Sequence, residues 1–312
     1  MNKKTISILL ICGILVFLGW KIWSDWETVI DFKWNFGLFD LTLFLIFLPL
    51  PFIFNVVAWH LVTRSQGEKI SFSKNFEAWM FSNFARYLPG GIWQYPSRIF
   101  LLSKEGVSKE SGIKCLVLEA LFVVFVGLLI VFFVLISGGL NLSFIGAGFI
   151  IKQQVLFIFL TLLFLAFFFL LVKSQRLMSF TSQLFTSLTG KAQNVKNIQI
   201  SPVWVLLLIF AYFLAFLFPG VILFLLAKGA VAITLNLLYI FVAVYTASWL
   251  LGYVAFFAPA GIGVREAALA GFLSVYMPFS VAAVVVIALR VSLIASEAIG
   301  FGLAVLLSKR RP

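Results

Sequence analysis

Apolar residues run along this chain in long blocks separated by short polar segments. The blocks at about 5–22, 38–62, 113–136, 153–172, 203–227 and 234–257 approach or exceed the roughly 20 residues a helix needs to cross a hydrocarbon core. A last block, about 279–307, is long enough to span with tilt. Between 258 and 278 lies a shorter segment, about 262–277 at its apolar part, interrupted at Pro259-Ala260-Gly261-Ile262-Gly263. The pattern predicts an all-α integral membrane protein, a single polytopic domain over 1–312.

The polar segments orient these spans. Segment 23–37 carries Asp25, Glu27 and Asp31 against Lys33. Segment 63–112 carries Arg64, Lys69, Lys74, Arg86, Arg98, Lys104 and Lys109, segment 173–202 carries Lys173, Arg176, Lys191 and Lys196, and the tail ends Lys309-Arg310-Arg311. Positive segments stay on the cytoplasmic side, which predicts a multi-pass protein of the cytoplasmic (cell) membrane with both termini inside. Both termini inside requires an even number of crossings, so 262–277 is expected to cross outward and 279–307 to return, for about eight in all. Lys3 and Lys4 precede the first block, but Lys21, Trp23 and Trp26 follow it in place of a small-residue cleavage site, so it is expected to remain as a span with an aromatic girdle.

Composition sharpens the picture. The chain is 63% hydrophobic and 11% charged, against roughly 25% charged in a soluble domain. The formal net charge of +12 would suggest nucleic acid on a soluble protein. Here the cations sit at the ends of apolar runs, where they orient spans and meet anionic headgroups, so no nucleic-acid partner is expected. Cys12 and Cys115 lie in or beside apolar runs and read as packing residues. His60 is the only histidine and no metal-ligand spacing occurs, so neither a metal nor a cofactor is expected.

Two segments are too apolar for solvated loops and too interrupted for simple spans. The first runs from Asn83 through Pro89-Gly90-Gly91 to Arg98. Pro89 removes an amide hydrogen and Gly90-Gly91 permits a sharp turn. Two short helices, about 74–87 and 92–103, are expected to form a re-entrant hairpin over about 74–103, entering from the cytoplasmic side. The second is the break at Pro259, Gly261 and Gly263, followed by Arg265 and Glu266 near the start of a helix. A helix N-terminus offers free amide hydrogens and partial positive charge, and an adjacent arginine adds a planar fork suited to phosphate. Interrupted helices in two corresponding places point to a transport site. A bland alternative stands beside this. Pro/Gly breaks are common in membrane helices, Glu266 can serve as an ordinary first-turn carboxylate or pair with Arg265, and Arg86 can snorkel to the interface.

Three more ionisable residues lie inside spans: Glu119, Arg290 and Glu297. They read either as a polar cavity for a charged headgroup or coupling proton, or as a buried pair of Arg290 with Glu119 or Glu297. Ser292, Ser296, Gly300 and Ala304 recur every four residues and read as a helix-packing stripe. Asn55 and His60 read as hydrogen-bonded packing or interface residues.

These stretches resemble a known family. Arg86-Tyr87-Leu88-Pro89-Gly90-Gly91 through Arg98, then Leu101-Leu102, Glu105-Gly106-Val107-Ser108 and Glu119, is similar to the first motif of the membrane region of lysylphosphatidylglycerol synthases, a flippase-like domain family. Pro259-Ala260-Gly261-Ile262-Gly263-Val264-Arg265-Glu266-Ala267, followed by Arg290, is similar to its second. Ala260 stands where the family usually has glycine, and Tyr95-Pro96-Ser97 replaces a more glycine- and glutamate-rich approach to the arginine. The resemblance covers nearly the whole chain in span order. It implies the translocating half of such a synthase without the aminoacyl-transferase domain, and it does not imply lysyl transfer.

The reading that follows is a flippase or transporter moving an anionic or amphiphilic phospholipid or lipid-linked glycan. Arg98 and Arg265, with Arg86 and Arg290, are expected to hold phosphate. Glu119, Glu266 and Glu297 would balance charge, and Pro89, Gly90, Gly91, Pro259, Gly261 and Gly263 would form the hinges of the two broken segments. The expected partners are membrane lipids and an enzyme that modifies lipid or glycan. Two alternatives remain open: a membrane-embedded transferase of envelope lipid or polysaccharide synthesis, and a non-transporting accessory subunit of such a synthase. No Gly-x-x-x-x-Gly-Lys-Ser/Thr phosphate loop occurs, and no Asp lies beyond Asp40, which argues against nucleotide hydrolysis and against an Asp-paired metal for sugar transfer.

Overall fold

A computed structural model describes residues 19–20, 22–87, 93–137, 200–255 and 258–309, and among these every regular element is helical. The helices are α1 (Trp26–Ile30), α2 (Leu38–Phe47), α3 (Leu50–Ser65), α4 (Phe72–Phe84), α5 (Gln94–Lys104), α6 (Lys109–Ile136), α7 (Pro202–Ala230), α8 (Leu238–Val254), α9 (Val264–Leu273) and α10 (Phe279–Lys309). Short 3-10 turns stand at Ala85–Tyr87, Leu235–Leu237 and Pro259–Gly261.

Five of the expected apolar blocks are helices long and apolar enough to cross a membrane: Leu38–Ser65, Lys109–Leu135, Pro202–Ala230, Leu235–Val254 and Phe279–Lys309. The block at 153–172 and nearly all of 5–22 lie outside the described residues. The first of the five comprises α2 and α3, which meet at a turn over Leu48 and Pro49. Helix α9 has ten residues. At 1.5 Å per residue it rises roughly 15 Å, about half a hydrocarbon core.

Exposure follows the helix period. On α7, Val203, Leu206, Phe210 and Phe213 form an exposed apolar stripe, and on α10 Ile287, Val291 and Ile294 form another. Such stripes on many helices would be a liability in water and are ordinary against lipid. The chain is a helical membrane protein.

The described residues pack as two compact units. The first takes in those that fall within 1–52, 86–92 and 215–300. Within it α8 packs on α9. Gly220, beside Pro219 in α7, lets that helix approach α8 so closely that a Cβ there would stand 2.5 Å from Val242 Cα. Lys228 Nζ pairs with Asp40 at 2.8 Å, and Ser296 Oγ donates to the Leu48 carbonyl at 2.8 Å, where the helical path turns. Ser296 therefore serves packing, as the four-residue stripe on α10 implies.

The second unit takes in the described residues that fall within 53–85, 93–214 and 301–312. Here α4 packs on α5 and α5 on α6. Ser71 and Ser108 cap α4 and α6 by accepting the amides of Lys74 and Ser111. Lys74 Nζ meets Glu105 at 2.7 Å and ties the start of α4 to the end of α5. The two short helices expected around the first interruption are thus α4, continued by the Ala85–Tyr87 turn, and α5. The turn residues Pro89, Gly90 and Gly91 lie outside the described residues. His60 Nδ1 lies 2.9 Å from Asn75 Nδ2, which also donates to Thr63 Oγ1 at 3.0 Å, in keeping with a hydrogen-bonded packing role for His60. Cys115 is a buried free thiol, and Cys12 lies outside the described residues.

Candidate functional site

Helix α8 ends at Val254, and the backbone that follows takes a path most residues avoid. Ala260 has φ 54°, Gly261 φ 68° and Gly263 φ 87°. Left-handed backbone suits glycine, and at Ala260 an L side chain sits in it. The path turns the chain sharply, and α9 starts at Val264 with Arg265 and Glu266 in its first turn. Glu266 Oε2 accepts the Gly263 amide at 2.6 Å, the carboxylate half of a capping box. Its Oε1 lies 3.2 Å from Arg290 Nε on α10. Glu266 therefore pairs with Arg290 and not with Arg265, because the cap holds its carboxylate toward α10.

Arg265 is fixed by packing. A Cβ on Gly252 would stand 2.2 Å from Arg265 Cγ, and one on Gly261 would stand 2.6 Å from Arg265 Nε. The side chain thus runs between two glycines that leave room for it. Its guanidinium carbon lies 4.8 Å from the centre of the Trp249 ring, within cation–π range. Among the described residues, Arg265 Nε and Arg290 Nη2 are buried without a hydrogen-bond partner.

These groups line a cleft of about 360 Å³, open mouth included. Tyr245 and Trp249 come from α8, Arg265 and Glu266 from α9, and Arg290 and Leu293 from α10. Arg86, in the Ala85–Tyr87 turn, joins the same unit through a 2.5 Å ion pair with Glu297 of α10. Tyr245 lies within electrostatic reach of Arg265, Arg290, Glu297 and Arg86. The structure thus brings together Arg86, Arg265, Arg290, Glu266 and Glu297 of the expected site residues, with Gly261 and Gly263 shaping the backbone beside them.

Arg98 and Glu119 form a separate cluster in the second unit. Arg98 Nη1 donates to both Glu119 oxygens, at 2.6 and 2.7 Å, and its Nε donates to Ser82 Oγ at 2.9 Å. The guanidinium carbon lies 4.7 Å from the Trp59 ring centre and 5.7 Å from that of Trp79. Arg98 is only 2% exposed. A buried arginine flanked by indoles and held by a carboxylate has satisfied its charge locally.

Three ion pairs, buried or part-buried, correct the pairing expected for Arg290. Glu119 goes to Arg98, Glu297 to Arg86, and Glu266 to Arg290. Arg290 and Glu297 do share a helix face, but seven residues separate them by roughly 10 Å along the axis, too far to touch. Tyr245, Trp249 and Gly252 escaped the sequence reading. Their spacing of four and then three residues puts them on one face of α8, a signal present in the sequence but lost among the many aromatic residues of lipid-facing helices.

Apolar spans, a backbone break between α8 and α9, and cations with buried unused donors beside it define a membrane protein with an open-mouthed, positively charged cleft. The chain belongs to the lysylphosphatidylglycerol synthase TM region family, whose profile matches residues 5–296. No curated protein gave a match. The resemblance read from the two motifs is therefore family membership, which places the chain among membrane proteins of lipid synthesis or transport.

Proposed function

We propose that this protein binds the phosphate of a lipid headgroup in the cleft between α8, α9 and α10 and carries that lipid across the cytoplasmic membrane. One observation carries the reading: Arg265 and Arg290 both line the cleft, and each keeps a buried guanidinium nitrogen, Nε and Nη2 respectively, with no partner among the described residues. A buried unsatisfied cationic donor costs several kcal/mol, on the order of the desolvation of an ion, and a ligand oxygen removes that cost. Arg265 has its stem held by Gly252 and Gly261, so little freedom is lost when it binds.

Arg98 takes a different role in this reading. Its donors are engaged by Glu119 and Ser82, so it braces α5 against α6 and α4, while Arg265 and Arg290 meet the phosphate. Arg86 and Glu297 form a pair that can exchange partners as a lipid enters. The α4–α5 segment acts as a re-entrant hairpin, α9 with its flanking residues makes the short seventh of about eight crossings, and both termini face the cytoplasm. Without a nucleotide-binding motif, movement runs down a gradient or is coupled to an ion.

The test is reconstitution into liposomes with fluorescent lipids and measurement of reagent-accessible probe in each leaflet. Wild-type protein is expected to equilibrate a phosphate-bearing lipid and Arg265→Ala to fail while retaining its thermal stability. Equal rates for wild type, Arg265→Ala and empty liposomes would overturn the transport reading.

A further inference from the structure

In the second unit, Arg98 and Glu119 hold each other on unequal terms. Arg98 also donates to Ser82 Oγ and rests against the Trp59 and Trp79 rings. Glu119 gives both oxygens to Arg98 Nη1 and has no other partner among the described residues. Its side chain is 17% exposed, against 3% for Arg98. Neutralising the carboxylate therefore frees α6 from the pair and leaves the guanidinium seated among α3, α4 and α5.

A line of polar groups leads from this pair along α3 and α4. Among the described residues, Trp59 Nε1, Trp79 Nε1 and Asn75 Oδ1 are buried without a hydrogen-bond partner. Trp59 and Thr63 stand one turn apart on α3, as Asn75 and Trp79 do on α4, and Asn75 donates to Thr63. Asn75 also reaches His60, which is only half-buried. Cβ atoms one turn apart lie roughly 5–6 Å from each other, about the span of one water making two hydrogen bonds. Buried polar atoms with no protein partner take up such water, and two donors with one acceptor supply the bonds it needs.

We propose that Glu119 binds the proton that couples to lipid movement, and that water held by Trp59, Trp79 and Asn75 brings it from His60. This rests on the transport reading above and names its coupling ion. Carboxylates and histidines inside spans mark proton relays. A proton from this water adds to Glu119 and makes a neutral carboxylic acid, while Arg98 keeps its charge and its bond to Ser82. The two bonds to Glu119 open and α5 loses its hold on α6. Re-forming both bonds from Arg98 Nη1 returns the proton to water. Besides Arg98, the charged or titratable groups around this path are Lys114 and Cys115 on α6, Glu68 after α3, Arg64 beside His60, and Tyr212 of α7, which stacks on Phe122.

The experiment uses full-length protein in liposomes carrying nitrobenzoxadiazole-labelled phosphatidylglycerol, with the membrane potential clamped by valinomycin and equal potassium. A pH step of about one unit is expected to pull the label toward about a tenfold leaflet ratio, the limit for one proton per lipid. Glu119→Gln is expected to lose that response. Trp59→Phe and Trp79→Phe, made singly, keep a ring beside Arg98 but lose the N–H, and are expected to slow it several-fold. Infrared difference spectra on acidification give a readout independent of transport: wild type should gain a carboxylic acid carbonyl band that Glu119→Gln lacks. Full-rate movement to equal leaflets whatever the gradient overturns the coupling and leaves transport standing. Identical infrared bands in both proteins overturn Glu119 as the site, and an undiminished response in both indole variants overturns the water route. No movement of the label by wild type overturns the transport reading and the coupling with it.

Discussion

The stem of Arg265 occupies the space where a Cβ on Gly252 would stand, with Cγ only 2.2 Å from that position. One glycine in α8 thereby decides the direction of a guanidinium on α9. Gly252→Ala is expected to push Arg265 out of its place on Trp249. The variant should lose lipid binding much as Arg265→Ala does, at a stability cost of about 1–3 kcal/mol from overpacking. Thermal unfolding in detergent measures the second effect and lipid binding the first. Unchanged binding by a folded Gly252→Ala protein would show that the clamp is not needed.

Glu266 does two things that can be separated. Glutamine at this position can still accept the Gly263 amide but cannot neutralise Arg290. Glu266→Gln should therefore keep α9 nearly as stable as wild type and raise affinity for anionic probes. Glu266→Ala should also lose the cap, at about 1 kcal/mol. Thermal stability and anion affinity measured on both variants check the split.

The Arg98–Glu119 pair is buried deeply enough that removing one partner strands the other. Arg98→Ala and Glu119→Ala are each expected to cost about 3–5 kcal/mol. Arg98→Met combined with Glu119→Leu should recover much of that loss, because no buried charge remains. Reversible unfolding in mixed micelles compares the three. A double variant no more stable than either single variant would deny the pair its bracing role.

Ala260 adopts φ 54° and ψ 16° where the family resemblance leads one to expect glycine. Left-handed backbone costs an L residue roughly 1–2 kcal/mol. Ala260→Gly should stabilise the protein by about 1 kcal/mol after the added freedom of the unfolded chain is offset. A rise in the melting temperature, with transport intact, is the expected outcome.

Arg86 and Glu297 are each roughly one-fifth exposed and meet at 2.5 Å across more than two hundred residues of sequence. A double-mutant cycle with Arg86→Gln and Glu297→Gln should give a coupling of about 0.5–3 kcal/mol in stability. Additive effects would mean that the pair contributes nothing as a pair.

Much of this was legible in the chain because lipid imposes a simple rule. Uninterrupted apolar runs of the right length must be helices, and 38–62, 113–136, 203–227, 234–257 and 279–307 proved so to within a few residues. The break before Arg265 was legible as well, since proline and glycine at 259, 261 and 263 permit a path other residues resist. Partners were not. Glu119, Glu266 and Glu297 each had several arginines available, and nothing in the spacing said which helices would be neighbours.

Trp249 and Gly252 show the limit from the other side. In sequence they are one aromatic and one small residue in an apolar span, and lipid accepts both without demanding a partner. Sequence by itself determined that the chain enters a membrane, where the five described spans run and where the chain breaks before α9, because those follow from local hydrophobicity and backbone freedom; the turn at Leu48 and Pro49 inside 38–62 was not read. Only the tertiary structure decided which charges neutralise one another and which donors stay unpaired. Such pairing depends on distances of a few ångströms between residues far apart in the chain, and helix packing alone sets those distances.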